Sequence, residues 1–287
     1  MLSMIKLLAT DLDGTLFYPK RKLTLMTKSN IEFLKAFSKA GGKLVLVTGR
    51  SRRVSMRVKK KTGIDISVLG CNGSFIYKDD KFVKSTPIPK EYLLDIYMNL
   101  KANYNLFAIF LFDQEDSIKI SPIGANKLTT HVSKWFNVFN FAYREKYVIS
   151  EKEAIKSISN GKVYKIMPVF GILPNVRKRV LDASMALKKQ YEDKLTIAAA
   201  DIAIEITAKG VNKASTLLEY VESLGISKDE VAVAGDSYND LPMFETFPNS
   251  FAMANGERII LENGKHIITR VSDISKYVLD ENGNLKE

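Results

Sequence analysis

The chain has 287 residues, 46% hydrophobic and 26% charged, which is ordinary for a globular protein and favours one large domain or two smaller ones. Its only cysteine, Cys71, excludes an intramolecular disulfide scaffold, and the absence of any uninterrupted apolar run of about 18 residues speaks against a membrane span. The net charge of +11 comes from 33 Lys and 10 Arg spread along the whole sequence, so it does not by itself call for a nucleic-acid partner.

The opening "MLSMIKLLATDLDG" reaches Asp11 too soon for a signal peptide, so a cytoplasmic protein is expected. Lys6 to Thr10 reads as a buried strand. Thr27 to Ala40 reads as a helix, with Ile31, Leu34 and Phe37 on one stripe and Gly41 just past its end. "KLVLVTGR" supplies a second strand, Lys43 to Thr48. Ser51 to Thr62 reads as a helix, and the basic cluster from Arg50 to Lys61 reads as its solvated face, with attraction of phosphate toward a nearby site as the alternative. A third strand, "ISVLG", leads into "CNGSFIY". Strands alternating with helices imply a parallel sheet, and strands that are continuously apolar imply cover on both faces.

After Thr86 the pattern changes. "TPIPKEY" opens a helix near Glu91 to Ala102, and "LFAIFLFD" and "DSIKIS" read as a strand pair. Helical stretches follow, then a strand near Val163 to Val169, and a long helix from Pro174 to Tyr191. "LTIAAAD" and "IAIEIT" form a hairpin about Asp201. This segment reads as an α+β insert. From Lys209 the first pattern returns. "NKASTLLEYVESLG" is a helix with Gly225 as its C-cap, "EVAVAGD" is a buried strand ending in Asp236, and "SFAMAN" is a further strand. The expected organisation is a core domain, 1–85 and 207–287, split by an inserted domain, 86–206.

Ligands of such sheets bind beyond the carboxyl ends of parallel strands. Asp11 and Asp13, Thr48 and Gly49, Lys213, and Asp236, Asn239 and Asp240 all fall at strand ends or helix starts. Up to four carboxylates in one crevice would cost several kcal/mol per ion if left unbalanced. A hard divalent cation with oxygen ligands, Mg²⁺, resolves the conflict. Thr48 offers a hydroxyl, Gly49 an unobstructed amide and Lys213 an ammonium, the parts that hold a phosphate oxygen. Cys71 has no neighbouring base in sequence, and His131 and His266 lie outside these motifs, so a carboxylate is the best nucleophile. Asp11 would attack phosphorus and Asp13 would handle the protons.

"DLDGT" at Asp11 to Thr15, "VTGR" at Val47 to Arg50, "GVNK" at Gly210 to Lys213 and "GDSYND" at Gly235 to Asp240 together resemble the four motifs of the haloacid dehalogenase-like phosphohydrolases, in the same order. The position of the insert and the tail "FAMANGERII" resemble the Cof-type subfamily with its α/β cap. The resemblance implies a Rossmann-like parallel-sheet core with an inserted α+β cap domain. It implies Asp11 as nucleophile and Mg²⁺ ligand, and Asp13 as general acid/base with its carbonyl on the metal. Thr48 and Lys213 would hold the phosphoryl group, Asp236 would be the last metal ligand, and Asn239 and Asp240 would support the loop. Arg50 and Asn72 lie near this site, where each reads as a structural residue first and as a candidate substrate-binding residue second. One departure stands out: where family members often read G-V-S-K-G, this chain has Asn212 and Ala214 around the lysine. The implied activity is a phosphatase for small phosphorylated metabolites, with no nucleic-acid or membrane partner. A phosphomutase using the same intermediate is the alternative, and a basic binding protein a more distant one.

Overall fold

The computed structural model describes residues 4–19, 25–114, 117–123, 146–171, 175–200 and 202–286. In chain order its main elements are β1 (Leu7–Thr10), α1 (Lys28–Lys39), β2 (Lys43–Val47), α2 (Arg52–Thr62), β3 (Ile66–Gly70), β4 (Phe75–Lys78) and β5 (Lys81–Ser85). Next come α3 (Lys90–Asn103), β6 (Ala108–Asp113), β7 (Ile118–Pro122), β8 (Tyr147–Ile149), α4 (Glu151–Asn160), β9 (Val163–Val169), α5 (Val176–Tyr191), β10 (Leu195–Ala199) and β11 (Ile204–Ala208). The chain then runs through α6 (Lys213–Ser223), β12 (Val231–Gly235), α7 (Leu241–Thr246), β13 (Asn249–Met253), α8 (Arg258–Asn263), β14 (His266–Ile268) and α9 (Ser275–Val278). Two compact units result: Met1–Lys84 with Asn212–Glu287, and Ser85–Val211.

The first unit holds an eight-stranded sheet in the order β14-β13-β12-β1-β2-β3-β4-β5. Every pair from β14 to β3 is parallel, and β4 runs antiparallel to β3. Alternate residues of these strands enter separate cores. Leu7, Ala9, Val45, Val47 and Val233 pack with Leu217 and Val221 of α6. Leu8, Leu44 and Leu46, facing the other way, are buried too, so the sheet is covered on both sides as continuous apolar strands require. Helix starts and stops follow local chemistry. Thr27 caps α1 by accepting from the Asn30 amide, and Gly63 ends α2 in the left-handed conformation.

The second unit is a six-stranded sheet, β10-β11-β9-β6-β7-β8. Its pairs are antiparallel apart from β7 with β8. Helices α3, α4 and α5 contribute Leu93, Ile96, Tyr97, Ala154, Ile158, Val180 and Leu187 against Ile109, Leu111, Ile166 and Ile206. Strand β11 pairs with β10 and β9, so the chain leaves this unit at Val211, later than the 206 expected from sequence. Two short strands, β8 and β14, and the β4–β5 hairpin were not anticipated. The helical stretch expected after β7, His131, Pro174 and Asp201 all lie outside the described residues. Among the described residues no helix is long and apolar enough to cross a membrane.

Candidate active site

Strands β12, β1, β2 and β3 are neighbours and parallel, so their carboxyl ends lie along one edge of the sheet. That places Asp236, Asp11, Thr48 and Asn72, each one or two residues past a strand, in a row. Backbone hydrogen bonds stitch the ends together. The Asp11 amide donates to the Ala234 carbonyl, the Thr48 amide to Leu69, and the Asn72 amide to Thr48. Cys71 and Asn72 take positive φ, 49° and 60°, which turns the chain back beneath the β2 loop. Gly73 follows at φ +95°, and a Cβ there would stand 2.6 Å from the Asn212 carbonyl. The Thr216 hydroxyl donates to the Gly73 carbonyl at 2.8 Å, so this turn also fixes the start of α6.

Lys213 is the first residue of α6, and its side chain is buried. Asn212 caps the helix, accepting from the Ala214 and Ser215 amides, and Ser215 returns the bond. The asparagine therefore does the work of a capping serine, which accounts for the departure noted in the sequence. Lys213 Nζ donates to Asp11 Oδ1 at 2.8 Å and to Asp240 Oδ1 at 2.6 Å. Burial alone would lower the pKa of this ammonium, but the two carboxylates and their hydrogen bonds outweigh it and raise it, so Lys213 is a permanent cation.

The acidic groups differ in their surroundings. Burial pushes the Asp11 carboxyl well above the usual range. Lys213 pulls it down, while Asp240, Asp236 and Asp13 push it further up. Burial likewise pushes Asp236 up, to about 6, against the hydrogen bond that Thr15 donates to its Oδ1 at 2.6 Å. Asp11, Asp236 and Asp240 each place one oxygen within 4.8 Å of the others. Asp240 is nonetheless poorly suited to ligate a metal. Its Oδ1 takes the Lys213 ammonium, and its Oδ2 takes the Asp236 and Ser237 amides at 3.0 and 3.1 Å. It is a fully engaged brace. Asp11 and Asp236 are the carboxylates suited to a cation, and an all-oxygen set that needs added positive charge suits a hard divalent ion. Gly14 makes room beside them: at φ +77°, a Cβ would lie 2.1 Å from Asp236 Oδ2.

The remaining predicted residues fall around this cluster. Asp13 is half exposed and is held by Arg50, whose Nε and Nη2 donate to its two oxygens at 2.5 and 2.8 Å. Thr48 is buried, and its hydroxyl accepts from the Arg50 amide, which leaves the hydroxyl proton to donate to an anion. Gly49, half-buried, lies between them. Asn239 Oδ1 accepts from the Ser237 hydroxyl at 2.9 Å. Cys71 is buried behind the turn, and His266 stacks on Phe251 and packs against Tyr277 in the sheet-edge packing.

These four loops, from Asp11 in the first to Asp240 in the last, carry the motifs of one enzyme family, and a profile of that family matches residues 8–276. The chain belongs to the haloacid dehalogenase-like hydrolase family. It is 23% identical over 292 residues to the phosphatase YwpJ of Bacillus subtilis (strain 168), covering 97% of each chain. It is 24% identical over 269 residues to the pyridoxal phosphate phosphatase YbhA of Escherichia coli (strain K12), covering 92% of this chain and 93% of that one. Its fold matches a haloacid dehalogenase-like hydrolase from B. subtilis with a TM-score of 0.78 at 22% identity, covering 96% of this chain and all of the other. It also matches a subclass IIB sugar phosphatase of the same superfamily with a TM-score of 0.74 at 21% identity, covering 95% and 98%.

Sequence reasoning singled out the charged members of this hydrolase site but gave no role to Thr15, Gly14, Ser237, Asn255 or Glu257. Thr15 and Gly14 were visible inside "DLDGT". Asn255 and Glu257 were visible only as part of the tail motif, with nothing to say what they touch.

Proposed function

We propose that this hydrolase is a Mg²⁺-dependent phosphatase for small phosphorylated metabolites, sugar phosphates or related compounds, and that it works through a phosphorylated Asp11. The observation that carries the reading is the buried Lys213 ammonium joined at once to Asp11 and Asp240, with Asp236 packed against Gly14 of the same loop. The names of the relatives, phosphatases of pyridoxal phosphate and of sugar phosphates, support a phosphomonoester substrate. Mg²⁺ would be held by the Asp11 and Asp236 carboxylates and the Asp13 backbone carbonyl. When bound it offsets charge on the phosphoryl oxygens and on Asp11.

The protein groups do the rest. Thr48, Gly49 and Lys213 grip the phosphoryl oxygens. An Asp11 oxygen attacks phosphorus, the bond from phosphorus to the ester oxygen breaks, and Asp13 gives that oxygen its proton. Asp13, now a carboxylate, takes a proton from water as the water oxygen attacks phosphorus. The bond to Asp11 then breaks, phosphate departs and the Asp11 carboxylate is restored. Positioning and charge stabilisation are most of what phosphoryl transfer needs, so this set is sufficient. Arg50 must release Asp13 for either proton transfer, and once free it joins Asn72 in facing substrate. Asn239 and Asp240 hold the Asp236 loop. Choice among metabolites is assigned to the inserted unit.

The test is phosphate release from a panel of phosphorylated metabolites, with and without excess EDTA, by the native chain and by Asp11→Asn. Release that vanishes in EDTA and in the variant is expected. Turnover that survives in Asp11→Asn overturns the nucleophile. Phosphoryl transfer to a second sugar hydroxyl with little free phosphate would make the protein a phosphomutase instead.

A further inference from the structure

We infer that the turn after β13, residues 254–257, clamps the two metal-holding loops to each other, and that Asn255 is a positioning residue for cation binding. The inference rests on the metal-dependent reading above.

The turn reaches both loops by separate bonds. On one side, Asn255 Nδ2 donates to the Gly14 carbonyl at 3.0 Å, across 241 positions of sequence. On the other, the Glu257 amide donates to the Asp236 carbonyl at 2.8 Å, and Glu257 Oε1 accepts from the Tyr238 amide at 3.0 Å. Between them, Gly256 lets the turn lie on Asp236 itself. A Cβ at Gly256 would stand 2.9 Å from the Asp236 carbonyl oxygen and 2.8 Å from that of Met253. The turn is closed by the Gly256 amide donating to Met253.

The consequence follows from what each anchored group adjoins. Gly14 is the residue whose Cα faces the Asp236 carboxylate, and Thr15, next in the chain, donates to that carboxylate. Asp11 lies three residues before Gly14. The separation of the Asp11 and Asp236 oxygens is therefore the separation of two loops, and the turn holds one with Asn255 and the other with Glu257. Neither side chain enters the chemistry. Each acts by keeping the carboxylates where one cation can meet both, the way supporting hydrogen bonds tune ligand sets elsewhere.

Asn255→Ala removes the donor, and Asn255→Asp changes its chemistry. The latter keeps the shape of the side chain and replaces the donating amide by a carboxylate, which can only accept, opposite a carbonyl. A carboxylate added near the site would tighten cation binding by simple attraction, whereas loss of the clamp loosens it. The two effects have opposite signs. Mn²⁺ is the probe, and free ion is measured by electron paramagnetic resonance with no substrate present.

The clamp predicts a dissociation constant about fivefold higher in Asn255→Ala, the fold-change of a single hydrogen bond worth ~1 kcal/mol, and a smaller rise in Asn255→Asp, where attraction offsets part of the loss. Asn255→Gln, which retains the donor, should recover part of the loss. The thermal unfolding temperature in EDTA should fall by no more than the roughly 2–4 °C that one such bond is worth, and substrate KM at saturating metal should be unchanged. Mn²⁺ binding by Asn255→Ala as tight as native overturns the inference. Because Mn²⁺ binding and unfolding need no turnover, they stay separate from the Asp11→Asn result, which judges the phosphatase reading alone.

Discussion

Replacing Lys213 with methionine removes the cation bonded to the buried Asp11 and Asp240 carboxylates while keeping most of the side-chain volume. Lys213 is 1% exposed and Asp240 is fully enclosed, so water cannot take the place of the ammonium. Two charge-assisted bonds, of 2.8 and 2.6 Å, are lost together. Breaking a buried ion pair by deleting one partner costs about 3–5 kcal/mol. In a unit of this size that lowers the melting temperature by roughly 10 °C. Part of the loss is relieved by proton uptake on Asp11, already biased toward its neutral form.

The decisive comparison uses Asp240→Asn. Its amide oxygen can still accept from the Asp236 and Ser237 amides, but its charge is gone. In the native background Asp240→Asn should destabilise, because Lys213 loses a partner. In the Lys213→Met background the same change should stabilise, by roughly 2 kcal/mol, because an unpaired buried charge is removed. Calorimetry in EDTA at pH 7.5 on the four proteins measures both signs. A Lys213→Met cost under about 1 kcal/mol, or an Asp240→Asn effect of the same sign in both backgrounds, refutes the claim that Lys213 holds the cluster together by charge.

Two further outcomes follow from the same cluster. Gly14→Ala forces a side chain into a left-handed backbone and onto Asp236 Oδ2, so it should cost about 1–2 kcal/mol of stability and weaken metal-dependent turnover far more. Native kcat/KM in that variant would show the close approach to be unimportant. The pH dependence has a fixed sign. Asp236 has a folded pKa of about 6 against an unfolded value near 3.8, so its protonation favours the fold below that window and the benefit is lost as pH rises through 6. Metal-free protein should therefore gain thermal stability from pH 7 to pH 5 relative to Asp236→Asn, and stabilisation by Mg²⁺ should be larger at pH 7.5 than at pH 5. Parallel pH profiles for the two proteins would contradict this.

Much of this arrangement could be read from the residues, for a physical reason. "LLAT", "KLVLV", "ISVLG" and "VAVAG" are mostly apolar and buried nearly throughout, as strands covered on both faces are, and Asp11, Thr48 and Asp236 follow three of them directly. Once the strands are parallel, those ends must lie on one edge. The β4–β5 hairpin was harder to see. "KFVKS" alternates half-buried with exposed positions, and its turn is Asp79-Asp80, both at positive φ, without the glycine that usually announces such a turn. Strands β8 and β14 have three residues each, too few to show a period. The Arg50 bond to Asp13 and the Asn255 bond to Gly14 depend on how separate loops fold back on one another, and no local pattern encodes that.

The most direct measurement is of the intermediate itself. Native protein is mixed with Mg²⁺ and an accepted phosphomonoester, quenched in acid within the first turnovers and digested, and the peptide containing Asp11 is weighed. The account predicts one added phosphoryl group on Asp11, absent in Asp11→Asn and absent when EDTA precedes substrate. A quenched enzyme that turns over fully yet carries no phosphoryl group on that peptide, or carries it on another residue, contradicts the account.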